Sequence, residues 1–291
     1  LLASMSQAYE KLEKPDKAKE KIRESLNYFK NKGNKSSSDE GLQIKVLSKR
    51  NEGNLLAEKY PKQAIKAYQQ AYNILKKYPK ETNPFVKNKI LIAEDIELVH
   101  RRILELQSNR NQEVWNSLKE HFYAELENFL NREKPNWEAA DIRTWRLILF
   151  IANREKEGWL DIPQLDKFSC PDLKRMDKLW VKNSKGHFGF SVQKEIWVKT
   201  GNRLGVKVGD WNYSDVANYY RFASAIGWYN GEKKNAVRGS VVSSSDYLRG
   251  IKTIKTNPYD SRWKGGLPFG DYIRSHCCAG LFFSRVATCK V

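Results

Sequence analysis

The stretch Met176-Asp177-Lys178-Leu179-Trp180-Val181-Lys182-Asn183-Ser184-Lys185-Gly186-His187-Phe188-Gly189-Phe190-Ser191-Val192-Gln193 changes character twice along its length. Met176, Leu179, Trp180 and Val181 are apolar, Lys182 to Gly186 form a polar turn, and Phe188 and Phe190 flank Gly189. Glycine tolerates positive φ and close backbone approach, so a Phe-Gly-Phe step can offer two rings to one cavity with no side chain between them. Such a pair suits a flat ligand. The bare pattern favours two core rings over a ligand wall, since Phe is among the more buried residue types.

On the N-terminal side of this stretch, Ser169-Cys170-Pro171-Asp172 reads as a helix start, with Pro171 tolerated in the first turn and Asp172 favourable to the dipole. Leu173, Met176, Leu179 and Trp180 line the inner face of that helix, and Asp172 and Asp177 read as capping or surface carboxylates. Further upstream, Asn136 is a candidate N-cap, Ile142, Trp145, Leu149 and Ala152 make a buried stripe, and Gly158 suits the C′ position. On the C-terminal side, Glu195 to Val198 is a short element and Thr200 to Tyr213 a glycine-rich loop. Ser214 caps a helix through Tyr219, Phe222, Ala223 and Ile226, which Gly227-Trp228 ends. Loop follows until Leu281-Phe282-Phe283-Ser284-Arg285.

The first hundred residues have another texture. Met5, Ala8, Tyr9 and Leu12, then Ala18, Ile22, Ser25 and Leu26, follow helical spacing interrupted at Lys14-Pro15-Asp16, which gives a helix-turn-helix pair. The spacing returns at Ala64, Tyr68 and Ala71, and resembles the second helix of tetratricopeptide repeats. The copies are 46 residues apart, about 12 more than the usual 34-residue period, and the polar run Asn31 to Gly41 supplies an insertion of that size. Phe85 to Gln107 is a predicted amphipathic helix with His100 on a solvated basic face, and Glu113 to Leu130 a further helix. The expected organisation is a helical repeat region over 1–108, a connecting helix over 109–133 and a second domain over 134–291.

Lys and Arg number 52 against 34 Asp and Glu, a net charge of +18. Residues 182–291 hold 18 basic and 7 acidic residues together with 17 of the 35 aromatic ones. A surface both basic and aromatic fits a planar macrocycle with carboxylate tails, or single-stranded nucleic acid. No apolar run is long enough to span a membrane and no secretory signal is evident. The chain starts at Leu1 in mid-pattern, as would a chain lacking an upstream part. Cys170, Cys277, Cys278 and Cys289 read as free thiols of a cytoplasmic protein, and their spacing is not that of a zinc site. No Ser/His/Asp or Cys/His set can be assembled, so no enzymatic role is expected.

Taken in order, Ala140-Asp141-x2-Thr144, Arg154-Glu155-x-Glu157-Gly158-Trp159-Leu160, Phe168-x-Cys170-x-Asp172-Leu173, Asp177-x-Leu179-Trp180-Val181-Lys182, Gly186-x-Phe188-Gly189-Phe190-Ser191-Val192-Gln193, Gly227-Trp228 and Ser284-Arg285-Val286-x-Thr288-Cys289 resemble the genomes-uncoupled-four family. That family comprises porphyrin-binding proteins that stimulate magnesium chelatase in chlorophyll synthesis, in cyanobacteria and chloroplasts. The resemblance implies a mostly α, loop-rich domain shaped like a cupped hand, holding protoporphyrin IX or Mg-protoporphyrin IX non-covalently. By motif, Val181, Phe188 and Phe190 would lie at the palm, Ile226 and Trp228 on its other side, and Arg274 and Arg285 near the propionates. The repeats would supply a protein partner, magnesium chelatase being the one the resemblance suggests. His187 stands where the family usually has Arg or Lys, and Gly266 where it has His. A nucleic-acid binder and an interaction adaptor without ligand remain alternatives, and so does peripheral attachment to a membrane.

Overall fold

A computed structural model describes residues 14–31, 38–87, 89–107, 111–131, 133–206, 209–227, 268 and 276–291, with Met5 and Tyr9. All regular structure among the described residues is helical. The chain divides into two units, Leu1–Glu125 and Leu126–Val291.

In the first unit α1 (Pro15–Asn31), α2 (Asp39–Leu56), α3 (Pro61–Lys77) and α4 (Ala93–Leu106) pack each on the next, and α5 (Gln112–Leu130) begins here. Ser38 caps α2 by accepting from the Gly41 amide at 3.1 Å, and Pro61 opens α3, where its missing N–H costs nothing. Ala64, Tyr68 and Ala71 are all buried, as the small-large-small spacing requires where helices approach closely. Gly53 of α2 lies under Tyr68, since a Cβ there would fall 2.5 Å from the ring.

Two expectations for this unit need correction. The helix expected from Phe85 begins only at Ala93, because the preceding amides are held elsewhere. Gln43 of α2 accepts from Ile90 and Leu91 N–H through one oxygen, at 2.8 and 3.0 Å, while Asp95 accepts from the Ile92 amide at 3.1 Å. His100 is not on a solvated face; it is buried, with Nδ1 2.7 Å from the Ile96 carbonyl and Nε2 2.9 Å from Ser117 Oγ. Burial holds its imidazole below the ordinary histidine pKa, and therefore neutral at pH 7. The unfolded chain takes up that proton below about pH 6.5, so this group's contribution to stability is lost as pH falls through that value, by up to about 1.4 kcal/mol per pH unit. Urea midpoints measured from about pH 7.5 to 5 should fall more steeply for wild type than for His100→Gln.

In the second unit α5 gives way to α6 (Trp137–Ala152), α7 (Ile162–Asp166), α8 (Cys170–Asn183), α9 (Phe190–Lys199), α10 (Tyr213–Ala225) and α11 (His276–Thr288). Asn136 caps α6 as expected, accepting from the Ala139 amide at 3.1 Å. The helix stops at Asn153, in the left-handed region at φ 56°, rather than at Gly158. Asn tolerates that conformation through its short polar side chain. The buried side of α6 matches the expected stripe at Leu149 but not at Ile142, which is 44% exposed, and it takes in Leu147, Ile148 and Phe150 as well. Asn212, and not Ser214, caps α10, in a reciprocal box with Asp215. The last helix starts at His276, within sequence expected to be loop.

Around α9 the core is aromatic. Trp197 is fully buried, with the rings of Phe283, Phe222 and Trp211 at 5.0, 5.1 and 6.3 Å, and its Nε1–H donates to the Arg203 carbonyl at 3.1 Å. Arg203 in turn donates to both carboxylate oxygens of Asp215, at 2.9 and 2.6 Å, tying the glycine-rich loop to α10. The cysteines depart most from expectation. Cys170 and Cys289 form a disulfide across 119 residues, their Cα atoms 5.1 Å apart. Folding brings the first residue of α8 beside the end of α11, a proximity that no local spacing encodes.

Candidate functional site

The turn between α8 and α9 is set by one glycine. Gly189 has φ 138°, and a Cβ there would lie 2.7 Å from Val181 Cγ2 and 2.9 Å from Asp177 Oδ1. Only glycine fits both the conformation and the space. Gly189 is also the N-cap of α9 and has no side chain with which to satisfy the first amides. Asp177, one helix earlier, does so instead: its Oδ1 accepts from Ser191 N–H at 2.9 Å and from Ser191 Oγ–H at 3.0 Å. A carboxylate at a helix N-terminus is favoured by the dipole. Burial nonetheless pushes the Asp177 carboxyl up, against the opposing hydrogen bonds from Ser191 and Phe190.

The turn sends its two rings to different neighbours and not to a shared cavity. Phe188 meets Trp137 and Trp180 edge to face at 5.0 and 6.2 Å, and its other neighbour His187 at 4.7 Å. Trp180 is anchored by Nε1–H donation to Thr144 Oγ1 at 3.0 Å. Phe190 meets Phe282 of α11 at 5.2 Å. Both phenylalanines are closed off, at 1% and 0% exposure. Val181 is half-buried against Gly189, and Ile226 is buried at the end of α10. Arg285 donates through Nε and Nη2 to the Phe168 carbonyl at 2.9 and 2.6 Å, which directs its fork at backbone. Trp228, Arg274 and Gly266 lie outside the described residues.

Electrostatics around the turn are one-sided. Lys174, Lys178 and Lys182 repeat every fourth residue along the outer face of α8, Lys185 follows in the turn, and all four are exposed. The acids of α8 face inward: Asp172 is buried and Asp177 serves the turn. Among the described residues none of the four lysines has an ion-pair partner within 4.0 Å. In the first unit, by contrast, Lys21, Lys49, Lys76, Lys89, Arg101 and Arg102 are each paired with a carboxylate. The α8 edge thus offers unneutralised positive charge beside an aromatic core, an arrangement suited to an anionic ligand.

The sequence reads Asp177 as a capping or surface carboxylate, and it is a cap, but of the next helix rather than a surface group. Its partner is 14 positions away on the next helix, so no periodicity points to it. The signal was an acid on α8 facing a glycine N-cap that cannot cap itself. Replacing Asp177 by Asn keeps an acceptor for Ser191, and should change the unfolding free energy by no more than about 1 kcal/mol. Asp177→Ala leaves the amides unmet and should cost about 1–3 kcal/mol, read from urea unfolding. Since a raised carboxylate pKa means stability falls as pH rises through the window above about 3.9, that part of the pH dependence should vanish in Asp177→Asn.

No three His, Cys, Asp or Glu side chains among the described residues converge as metal ligands. No helix among the described residues is long and apolar enough to cross a membrane.

Residues 116–245 match the family model described as GUN4-like, so the chain carries a GUN4-like domain there. A chloroplastic tetrapyrrole-binding protein of Arabidopsis thaliana is 33% identical over 132 residues, covering 40% of this chain and 49% of that protein. A Ycf53-like protein of Synechocystis is 34% identical over 73 residues, 24% of this chain and 30% of its own length. The ligand-free structure of Arabidopsis thaliana GUN4 aligns over 55% of this chain and 91% of its own, at 24% identity and a TM-score of 0.36. The chain spans half or less of the length of these two curated relatives.

Proposed function

We propose that, with its GUN4-like domain at residues 116–245, this chain is a non-enzymatic regulatory protein that binds a tetrapyrrole through its second unit. The observation that carries this reading is the one-third identity, over 132 residues, with a plant protein named for tetrapyrrole binding. The geometry is compatible with it. A porphyrin is a flat apolar disc with carboxylates on one edge, and here an aromatic core lies behind a turn flanked by Lys174, Lys178, Lys182 and Lys185. Aromatic and aliphatic contact would supply most of the affinity, and the cationic edge would orient the propionates. A ligand of about 40 heavy atoms at roughly −0.3 kcal/mol per atom reaches about −12 kcal/mol, so micromolar binding or tighter lies within range.

Protoporphyrin IX and its magnesium form are the ligands this reading favours, with Val181 as a contact, Phe188, Phe190 and the equally buried Ile226 supporting the wall from behind, and Trp228, Arg274 and Arg285 as further candidates. Stimulation of magnesium chelatase, and a protein partner for the repeats, belong to the same proposal. Deuteroporphyrin titrated into the full chain should shift and saturate its Soret band at micromolar affinity or tighter, with weak salt dependence. No spectral change overturns the reading. Steep loss of nucleic-acid binding with salt would indicate the competing ligand class. Gly189→Ala, strained by about 1–3 kcal/mol and clashing with Val181, should weaken porphyrin binding at least about tenfold in the same titration.

A further inference from the structure

The Cys170–Cys289 bond ties together two positions of unequal character. Cys170 is partly exposed and is the first residue of α8, directly after the N-cap Ser169. Cys289 is 3% exposed and follows the last residue of α11. We propose that this pair is a thiol–disulfide exchange site, opened by a dithiol reductant protein of the Cys-x-x-Cys class, and that opening loosens the C-terminal helix. The proposal stands apart from the ligand reading above.

The chemistry follows from access and from the helix. A thiolate of the reductant attacks the accessible Cys170 sulfur; a new S–S bond forms there as the Cys170–Cys289 bond breaks, and Cys289 leaves as thiolate and takes a proton from water. The second thiol of the reductant then attacks the reductant's own sulfur in the mixed disulfide, and Cys170 leaves as thiolate. Two electrons have passed to the protein, which holds two thiols, and the reductant ends as an internal disulfide. Cys170 is suited to leave last. A thiolate at the N-terminus of a 14-residue helix is stabilised by the dipole and by the first amides, and a thiol of lower pKa departs faster. A monothiol lacks the internal second nucleophile and should resolve the mixed disulfide slowly.

What the bond controls is also visible. α11 contributes Phe282 against Phe190, and Phe283 against Trp197 and Phe222. Besides the bond, Arg285 ties α11 to the Phe168 carbonyl. Reduction therefore loosens the end of α11 while leaving the rings packed, the behaviour of a reversible clasp.

The full chain, purified in air and alkylated without reductant, should yield on digestion a peptide pair joined through Cys170 and Cys289. Thioredoxin with its reductase should remove that link stoichiometrically, faster than glutathione at equal thiol concentration, and proteolysis of α11 should then accelerate about tenfold or more. Cys170→Ser and Cys289→Ser chains should be cleaved at the faster rate with or without reductant. Should either variant fail to fold, wild type reoxidised with oxidised glutathione must regain the slow rate. Alkylation of both thiols in the air-purified chain overturns the proposal. So does an equal response of wild type and serine variants to reductant, or a proteolysis rate that reduction and reoxidation leave unchanged.

Discussion

Reducing the Cys170–Cys289 bond is expected to lower the unfolding free energy of the second unit by about 2–5 kcal/mol. The bond closes a loop of 119 residues, and the chain-entropy account assigns roughly 4–5 kcal/mol to a cross-link of that span, while engineered and natural examples fall on both sides of it. The bond acts mainly by denying the unfolded chain its extended conformations, so most of the loss should arise there, with change in the folded state confined to the end of α11. The rings of Phe282 and Phe283 remain buried by packing. Urea unfolding of the full chain followed by tryptophan emission, with and without dithiothreitol, reads the difference. The midpoint should fall on reduction in wild type and stay fixed in a Cys170→Ser, Cys289→Ser double variant. A loss under about 1 kcal/mol would mean that packing alone fixes α11.

A second large effect is expected in the first unit. Arg50 Nη1 donates to Asp95 Oδ1 at 2.8 Å, with the two side chains 5% and 7% exposed. Burial pushes the Asp95 carboxyl up in spite of the adjacent guanidinium. Asp95→Ala would leave the guanidinium with Asn51 Oδ1 and would also remove the acceptor for Ile92 N–H. The cost should be about 3–5 kcal/mol, since an uncompensated buried charge remains. Replacing both partners, as Arg50→Met with Asp95→Leu, should return most of that stability. A double variant as unstable as the single one would show that the pair is needed for its own attraction.

Much of the helical architecture was legible because it is local. The Asn136 and Ser169 caps, Pro15 opening α1 and the Ala64-Tyr68-Ala71 spacing all act within one turn or one face. The misplacements share a cause, which is that a partner distant in sequence overrides a local preference. Gln43 takes the amides that would have begun a helix near Phe85. Asp177 supplies a cap that belongs to another helix, and Cys170 meets a cysteine at the far end of the chain. His100 sits between Arg101 and a buried face, and its i−4 carbonyl and Ser117 make burial tolerable. For the candidate site, the Phe-Gly-Phe turn could be picked out from the order of its residues alone. That its rings diverge into separate clusters could not, because Trp137 and Phe282 reach it from elements 51 positions before Phe188 and 92 after Phe190.

The central claim is that the folded second unit has a specific tetrapyrrole site, and calorimetry of the full chain with and without deuteroporphyrin tests it most directly. A ligand that binds only the folded state at about 100 times its Kd adds about 2.7 kcal/mol, which raises the melting temperature of that unit by several degrees. A planar apolar molecule that merely adheres to exposed surface binds the unfolded chain at least as well. An upward, concentration-dependent shift is the result expected here; an unchanged or lowered melting temperature at saturating porphyrin would contradict it.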